Sequence, residues 1–204
     1  MANNYYDSAK TYCNNKNNIL LINFLQADCN IFLKNYNVAK KIIYNSKIDS
    51  CKKQVKKKNF YLGIINFAQA NYDSAELFFI NSVSDTSFLI KEKIHNSFKD
   101  KKKLKRPNPK VAGALSIILP GSGQLYAGDY KNAINSLLLV SIFTAIGTDM
   151  YFRYAWYDSA ISIFPWFYRY YRGGYKNAIR IAKEKRELKR NKKLNEIIDI
   201  IKSQ

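Results

Sequence analysis

The sequence feature that most limits the possible folds is a long segment without net charge between two basic segments. The chain has 204 residues and a net charge of +19, yet residues 111–170 carry only three acidic and three basic side chains. Residues 1–90 carry a net charge of +5, and residues 91–110 and 171–204 carry +7 each. This distribution is typical of a membrane protein whose two basic flanks lie on the same, cytoplasmic side.

Two stretches of the neutral segment are candidates for crossing a membrane, and the second is the shorter. Residues 132–148 contain no charged side chain, and a span needs about 20 apolar residues, with roughly 17 as the lower end. We therefore predict spans near 131–152 and 155–172. Aromatic residues mixed with Arg169 and Arg172 end the second stretch, as expected where a helix leaves the hydrocarbon core.

A third apolar stretch, residues 111–128, contains Pro120. Proline lacks an amide donor and clashes with the preceding helical turn, so we predict a broken helix here. The pair 111–128 and 132–150 is an alternative two-span arrangement with the same sidedness. Both arrangements predict an integral membrane protein.

The first ninety residues contain a helical pattern that repeats after 36 residues. Residues 35–46 read NYNVAKKIIYNS and residues 71–82 read NYDSAELFFINS. A small residue, Ala27 or Gly63, stands twelve positions before the alanine of each copy, and small residues let paired helices approach closely. The pattern resembles the tetratricopeptide repeat. This resemblance implies helical hairpins over residues 1–90 that hold a protein partner.

Lysine-rich segments are expected to separate the parts of the chain. Residues 51–59 (CKKQVKKKN) are predicted to form a loop between the hairpins, and residues 91–110 a basic linker. Residues 173–204 predict a basic amphipathic helix that can lie on anionic lipid. The fold class is therefore all-α, with domains 1–90, 91–110, 111–172 and 173–204.

Two glycine-containing segments carry a further resemblance. The first reads PGSGQLYAG over residues 120–128, and the second reads YRYYRGGYKNA over residues 168–178. They are similar to segments of a family of uncharacterised bacterial membrane proteins of the Bacteroidetes type, in which tetratricopeptide-like repeats precede the membrane region. The first segment is loosely similar to TM2-type domains. The resemblance implies a bacterial inner membrane and no known reaction. The matching positions are Pro120, Gly121, Gly123, Gln124, Tyr126, Gly128, Arg169, Tyr170, Tyr171, Gly173, Gly174, Asn177 and Ala178.

The same five letters occur close to both pairs of glycines. Tyr-Lys-Asn-Ala-Ile occupies residues 130–134, two residues after Gly128, and again residues 175–179, directly after Gly174. Glycine permits a turn, so we predict two equivalent helix starts.

No arrangement of catalytic or metal-binding residues is evident. There is one histidine, His95, and the three cysteines have neither a disulfide framework nor a zinc-site spacing. We expect no catalytic residue, no metal, no cofactor and no enzyme activity. Polar residues in an apolar region are candidates for a functional role, and here they are Gln124, Asn135, Asp149 and Asp158. A solvated loop with an ion pair to Arg153 explains the two aspartates better than a proton path does.

These features predict a membrane-anchored adaptor or scaffold. Its expected partners are the lipids of an anionic leaflet and an unknown protein bound by the repeats. The residues expected at the lipid surface are Lys101, Lys102, Lys103, Lys105, Arg106, Arg169, Arg172, Lys183, Lys185 and Arg186. The amino terminus lacks the pattern of a secretory signal, so the repeats are expected not to be exported.

Two other functions are alternatives. One is a small transporter or membrane-assembly factor, and the other is a nucleic-acid-binding protein that uses the basic tail. A neutral segment of sixty residues is not a feature of nucleic-acid-binding domains, so we do not expect nucleic acid as a partner.

Overall fold

The computed structural model describes residues 2–13, 15–46, 51–84, 86–154 and 156–203, and throughout these ranges the regular structure is helical. The predicted all-α class is confirmed. The chain divides into two compact units, Met1–Lys101 with Lys193–Gln204, and Lys102–Lys192.

The first unit is built mainly of paired helices. Its helices are α1 (Ala2–Tyr12), α2 (Lys16–Phe32), α3 (Tyr36–Asn45), α4 (Lys52–Ala68), α5 (Tyr72–Ser82) and α6 (Phe88–Phe98). Helix α2 packs on α3, and α4 packs on α5. Both α2 and α4 have 17 residues, and their first residues lie 36 positions apart.

The turns inside the two helix pairs have the same geometry. Lys34 and Ala70 both have a left-handed backbone, with φ values of 61° and 63°. The amide of the next residue, Asn35 or Asn71, donates to the carbonyl five residues back at 2.7 or 2.9 Å. Each first helix therefore ends in a Schellman motif. The pairs repeat at the sequence offset of 36, and their assignment to the tetratricopeptide class stays a prediction.

The core of the first unit occupies equivalent positions in the two pairs. Gly63 lies so close to the neighbouring helix that a Cβ atom there would be 2.7 Å from the ring of Phe79. This contact explains why a small residue stands opposite the aromatic side chain. The fully buried side chains at equivalent positions are Ala39 and Ala75, and Ile43 and Phe79.

Two lysine-rich segments are helical where the sequence predicted a loop and a linker. Helix α4 begins at Lys52, inside the predicted loop 51–59. Lysine has good helix propensity, and the Lys57 ammonium lies 4.4 Å from the centre of the Phe24 ring. The predicted linker 91–110 contains most of α6, where Ile94 and Phe98 are buried. A 3₁₀ turn, Lys101–Lys105, follows it.

The second unit contains the neutral segment. Its helices are α7 (Pro109–Ile118), α8 (Ser122–Tyr126), α9 (Tyr130–Arg153), α10 (Trp156–Ser162) and α11 (Phe164–Lys202), and α11 extends beyond this unit. Helix α7 ends two residues before Pro120, so the chain turns where the sequence predicted a break. The predicted second span, 155–172, begins outside the described residues, and its described part contains the change from α10 to α11.

Helix α11 differs from the sequence prediction. It runs through Gly173 and Gly174 without interruption, so the predicted helix start at residues 175–179 is wrong and no separate helix begins at residue 173. Both glycines lie within the helix, and glycine is tolerated in a helix interior at a loss of roughly 1 kcal/mol relative to alanine. The equivalent start at residues 130–134 exists, since α9 begins at Tyr130.

Candidate functional site: the apolar helix and the two glycine segments

The PGSG turn allows α8 to pack tightly against its neighbours. Gly121 has a φ of 92°, which side-chain-bearing residues rarely adopt. A Cβ atom there would also lie 2.5 Å from the carbonyl oxygen of Ala133. At Gly123 a Cβ atom would overlap the backbone carbonyl of Ala112 on α7. Pro120 lies in the turn itself, between α7 and α8.

A buried chain of hydrogen bonds passes through Gln124. The amide of Gly123 donates to Ser116 Oγ at 3.0 Å, and Ser116 Oγ donates to Gln124 Oε1 at 2.9 Å. Gln124 Nε2 then donates to the carbonyl of Gly174 at 2.9 Å. Gln124 has no exposed surface, and these bonds satisfy its buried amide group. It connects α7, α8 and α11.

The second glycine segment therefore lies against the first. A Cβ atom at Gly174 would be 2.7 Å from Ser136 Oγ on α9, so a small residue is needed there. The Tyr171 hydroxyl donates to the carbonyl of Ile117 at the end of α7. A Cβ atom at Gly173, in contrast, would meet no atom within 4 Å. The two segments that the sequence singled out separately form one packing site.

The other motif residues have local roles. The Tyr126 hydroxyl accepts a hydrogen bond from the Asn108 amide at 3.2 Å. Asn177 Oδ1 accepts from Arg180 at 2.7 Å. Ala178 is fully buried in a small cluster that joins α7 and α11.

Asp129 begins the long apolar helix. Its carboxylate accepts from the Asn132 amide at 3.1 Å and from Asn132 Nδ2 at 2.8 Å, which makes it the N-cap of α9. These bonds, together with the charge of Lys185, lower the pKa of the Asp129 carboxyl below its usual value. Lys185 also donates to the carbonyl of Gly128 at 2.6 Å.

Helix α9 is long and apolar enough to span a membrane, and its apolar residues face outward. Its 24 residues extend about 36 Å, compared with a hydrocarbon core of about 30 Å. Only 17% of its most apolar window is buried. The exposed fractions of Leu138 and Ile142 are 55% and 52%. The core helix of a water-soluble protein would bury these side chains.

The first part of α11 runs antiparallel to α9. Ser136 of α9 lies beside Gly174, and seven residues later Phe143 stacks on Tyr170 with ring centres 5.1 Å apart. Near the far end of α9, Gly147 and Tyr151 face Phe164 across an open apolar groove. The returning helix of this pair, α11, carries exposed Trp166 and Tyr168 at its apolar end.

The predicted lipid-surface residues do not all lie free on the surface. Lys101 pairs with Asp73 and lies 3.8 Å from Glu76, so it is engaged within the first unit. Arg186 is half-buried. Arg172 is exposed, and its guanidinium carbon lies 5.9 Å from the centre of the Tyr168 ring. The exposed members of the predicted set are Lys102, Lys103, Lys105, Arg106, Arg169, Arg172, Lys183 and Lys185.

The two aspartates of the apolar region are in different surroundings. Asp149 pairs with Arg153 at 2.7 Å, one helical turn away on α9. The predicted ion pair is present, but it lies on a helix and not in a loop. Asp158 lies on the short helix α10.

Two serines important for the site were missed in the sequence. Ser116 and Ser136 look like ordinary residues of apolar helices, and only their presence in uncharged stretches distinguishes them. Ser136 Oγ is buried and has no hydrogen-bond partner among the described residues. Within the described part of the chain, no group of three or more His, Cys, Asp or Glu side chains is placed to hold a metal ion.

Comparison with known protein families, with curated proteins and with solved structures found no match for this chain.

Proposed function

We propose that this protein is a membrane-anchored helical adaptor, in which α9 and the start of α11 form the anchor. The observation that carries the proposal is the outward apolar surface of α9. Exposed apolar patches beyond a few hundred Å² are rare on soluble monomers and mark contact with a membrane or another protein. The basic segments at the two ends of the second unit favour a membrane, because they match the flanks of an antiparallel pair of spans.

The helix pairs of the first unit supply the partner-binding part of the proposal. Leu21 and Leu25 lie one turn apart on α2 and are exposed, and Leu77 is exposed on α5. Such side chains on packed helices are typical of protein-binding surfaces. A photo-crosslinking residue at Leu21 should give a discrete adduct in cells, whereas one at the exposed polar position Asn37 should not.

Carbonate extraction tests the anchor. The wild-type protein should stay in the membrane pellet. Placing two lysines on the outward face, Leu138→Lys with Ile142→Lys, should prevent stable insertion, because each lysine at a helix centre opposes insertion by about 2.5–3.5 kcal/mol. On a water-exposed surface the same changes would alter stability by only about 0.5 kcal/mol each.

A matched control is available on α11. Leu188 is exposed to a similar or greater degree but lies outside the proposed spans, so Leu188→Lys should leave the protein in the pellet. Release of the wild-type protein by carbonate would contradict the anchor. Release together with salt-sensitive DNA or RNA binding would favour the nucleic-acid alternative instead.

A further inference from the structure

A cavity with several polar side chains in its lining lies beside the apolar surface of the second unit. It has a volume of about 320 Å³ and lies between α9 and α11. Its polar lining includes Asn135 and Ser136 from α9, and Arg169 and Asn177 from α11. None of the described residues that line it is acidic. Polar side chains grouped next to outward-facing leucines and isoleucines are candidates for a binding role.

The cavity offers hydrogen-bond donors that the protein does not use. Ser136 Oγ is buried, and none of the residues that the structure describes hydrogen-bonds to it. Arg169 forms no ion pair with any of the described residues, and its guanidinium presents five donors in a planar fork. Asn177 accepts from Arg180 through its oxygen, which leaves its amide group free to donate. Several donors and one positive charge suit an anion with several oxygen acceptors, above all a phosphate group.

The position of the cavity favours a lipid phosphate. Ser136 lies six residues from the start of α9, or about 9 Å along the helix. In the proposed spanning arrangement, this depth lies in the third of the membrane nearest the start of α9, where lipid headgroups meet the acyl chains. The outward apolar face of α9, with Leu138 and Ile142, continues from the cavity toward the membrane centre.

We propose that this cavity binds the phosphate group of a membrane phospholipid, with Arg169 as the main ligand and the lipid chains along α9. This inference rests on the proposed membrane anchor, since the lipid source follows from it. The phosphate chemistry itself depends only on the cavity.

Two different variants separate the cavity from general effects of charge and folding. Arg169→Gln removes the charged fork. Gly173→Leu leaves Arg169 in place and adds a side chain to the lining of the cavity, where a Cβ atom would meet no atom within 4 Å. The control is Lys176→Gln on the same helix, an exposed position outside the cavity lining and outside the predicted lipid-surface set.

The test uses the full-length protein purified in dodecyl maltoside. Thermal unfolding is followed with phosphatidylglycerol, with diacylglycerol of the same chains, or with inorganic phosphate, and native mass spectrometry counts retained lipid. At a hundredfold excess over Kd, phosphatidylglycerol should raise the Tm of the wild type and of Lys176→Gln by roughly 5–10 °C. The shift should fall below about 1 °C in Arg169→Gln and in Gly173→Leu.

Several results would overturn the proposal. They are an equal loss in Arg169→Gln and Lys176→Gln, an undiminished shift in Gly173→Leu, or an equal shift with diacylglycerol. An equal shift with inorganic phosphate would show a free-anion site and refute the lipid. Carbonate extraction of Arg169→Gln is read separately: its retention in the pellet supports the anchor whatever the lipid test shows. Release of the wild type rejects the anchor and, with it, the lipid as the source of the phosphate, and binding of inorganic phosphate then still tests the cavity.

Discussion

At the scale of single residues, Gln124 links the two glycine segments through the hydrogen bonds of its side chain. It is fully buried, and its side chain joins Ser116 to the backbone of Gly174. This arrangement depends on the glycines around it, because only residues without a side chain let α7, α8 and α11 come close enough for a glutamine to reach across. A role in packing explains the segment without any catalytic function.

Gly123 and Gly173 give a first prediction because they differ in the space around them. In Gly123→Ala the new methyl would overlap the Ala112 backbone, which cannot move aside. We therefore expect the free energy of unfolding to fall by about 3 kcal/mol or more. In Gly173→Ala the methyl meets open space, and the better helix propensity of alanine should raise stability by up to about 1 kcal/mol. Thermal unfolding in detergent compares them. Equal destabilisation of both would contradict the packing described here.

Asp129 gives a prediction about pH. Asp129→Ala should destabilise by about 1 kcal/mol because α9 loses its N-cap, whereas Asp129→Asn keeps a capping oxygen and loses only the charge. The pKa of Asp129 is lowered in the folded state. Its charge therefore stabilises the fold fully above the unfolded pKa, and this stabilisation is lost as the pH falls through the folded pKa.

The Tm difference between wild type and Asp129→Asn should therefore be constant well above the unfolded pKa of about 4 and should shrink as the pH falls below it. Unfolding curves at four or five pH values on either side of that pKa measure it. A difference that grows on acidification would show that the carboxylate is destabilising in the folded state.

At the scale of helices, the two pairs of the first unit solve the same packing problem with different residues. The second pair combines Gly63 with Phe79, and the equivalent positions of the first pair hold Ala27 and Ile43. A smaller residue on one helix accompanies a larger residue on its partner. Total volume is conserved, as packed cores require.

This compensation predicts a coupled pair of substitutions. Gly63→Ala should destabilise by about 1–3 kcal/mol, since its methyl would lie 2.7 Å from the Phe79 ring. Phe79→Ile should also destabilise, because it leaves a cavity beside the glycine. The double variant recreates the residues of the first pair. Its loss of unfolding free energy should be at least about 1 kcal/mol smaller than the sum of the losses in the two single variants. A double-mutant cycle by urea unfolding measures the coupling, and additive effects would count against equivalence of the pairs.

The helices show which parts of the fold could be predicted from the sequence. The 36-residue offset, the break at Pro120 and the start of α9 depend on local signals, namely small residues, a missing amide donor and an N-cap. The helical state of residues 52–59 and the continuity of α11 are not set by local signals alone, because they also depend on contacts with residues distant in the sequence. Lys57 lies on the ring of Phe24, and Gly174 on Ser136. For the same reason the sequence indicated both glycine segments but not their contact through Gln124.

At the scale of the whole molecule, the distribution of charge is the strongest organising feature. The second unit begins and ends in basic segments, and its interior from 111 to 170 has no net charge. In a membrane this pattern predicts that both ends lie on the cytoplasmic side, since lysine and arginine close to a span oppose translocation. Among the described helices, α9 is the one long and apolar enough to cross a membrane. The start of α11 runs antiparallel to it, and a second crossing stays a prediction.

Site-directed labelling tests this topology on the full chain. In a variant with Cys13, Cys29 and Cys51 replaced by serine, single cysteines are introduced as Lys102→Cys, Tyr154→Cys or Lys192→Cys. A membrane-impermeant maleimide should label positions 102 and 192 in inverted vesicles and position 154 in right-side-out vesicles, because crossing the hydrocarbon twice returns the chain to its starting side. Labelling of 102 and 192 from opposite sides would mean an odd number of crossings. In that case the basic flanks could not both lie on an anionic cytoplasmic leaflet, and the charge distribution would need another explanation.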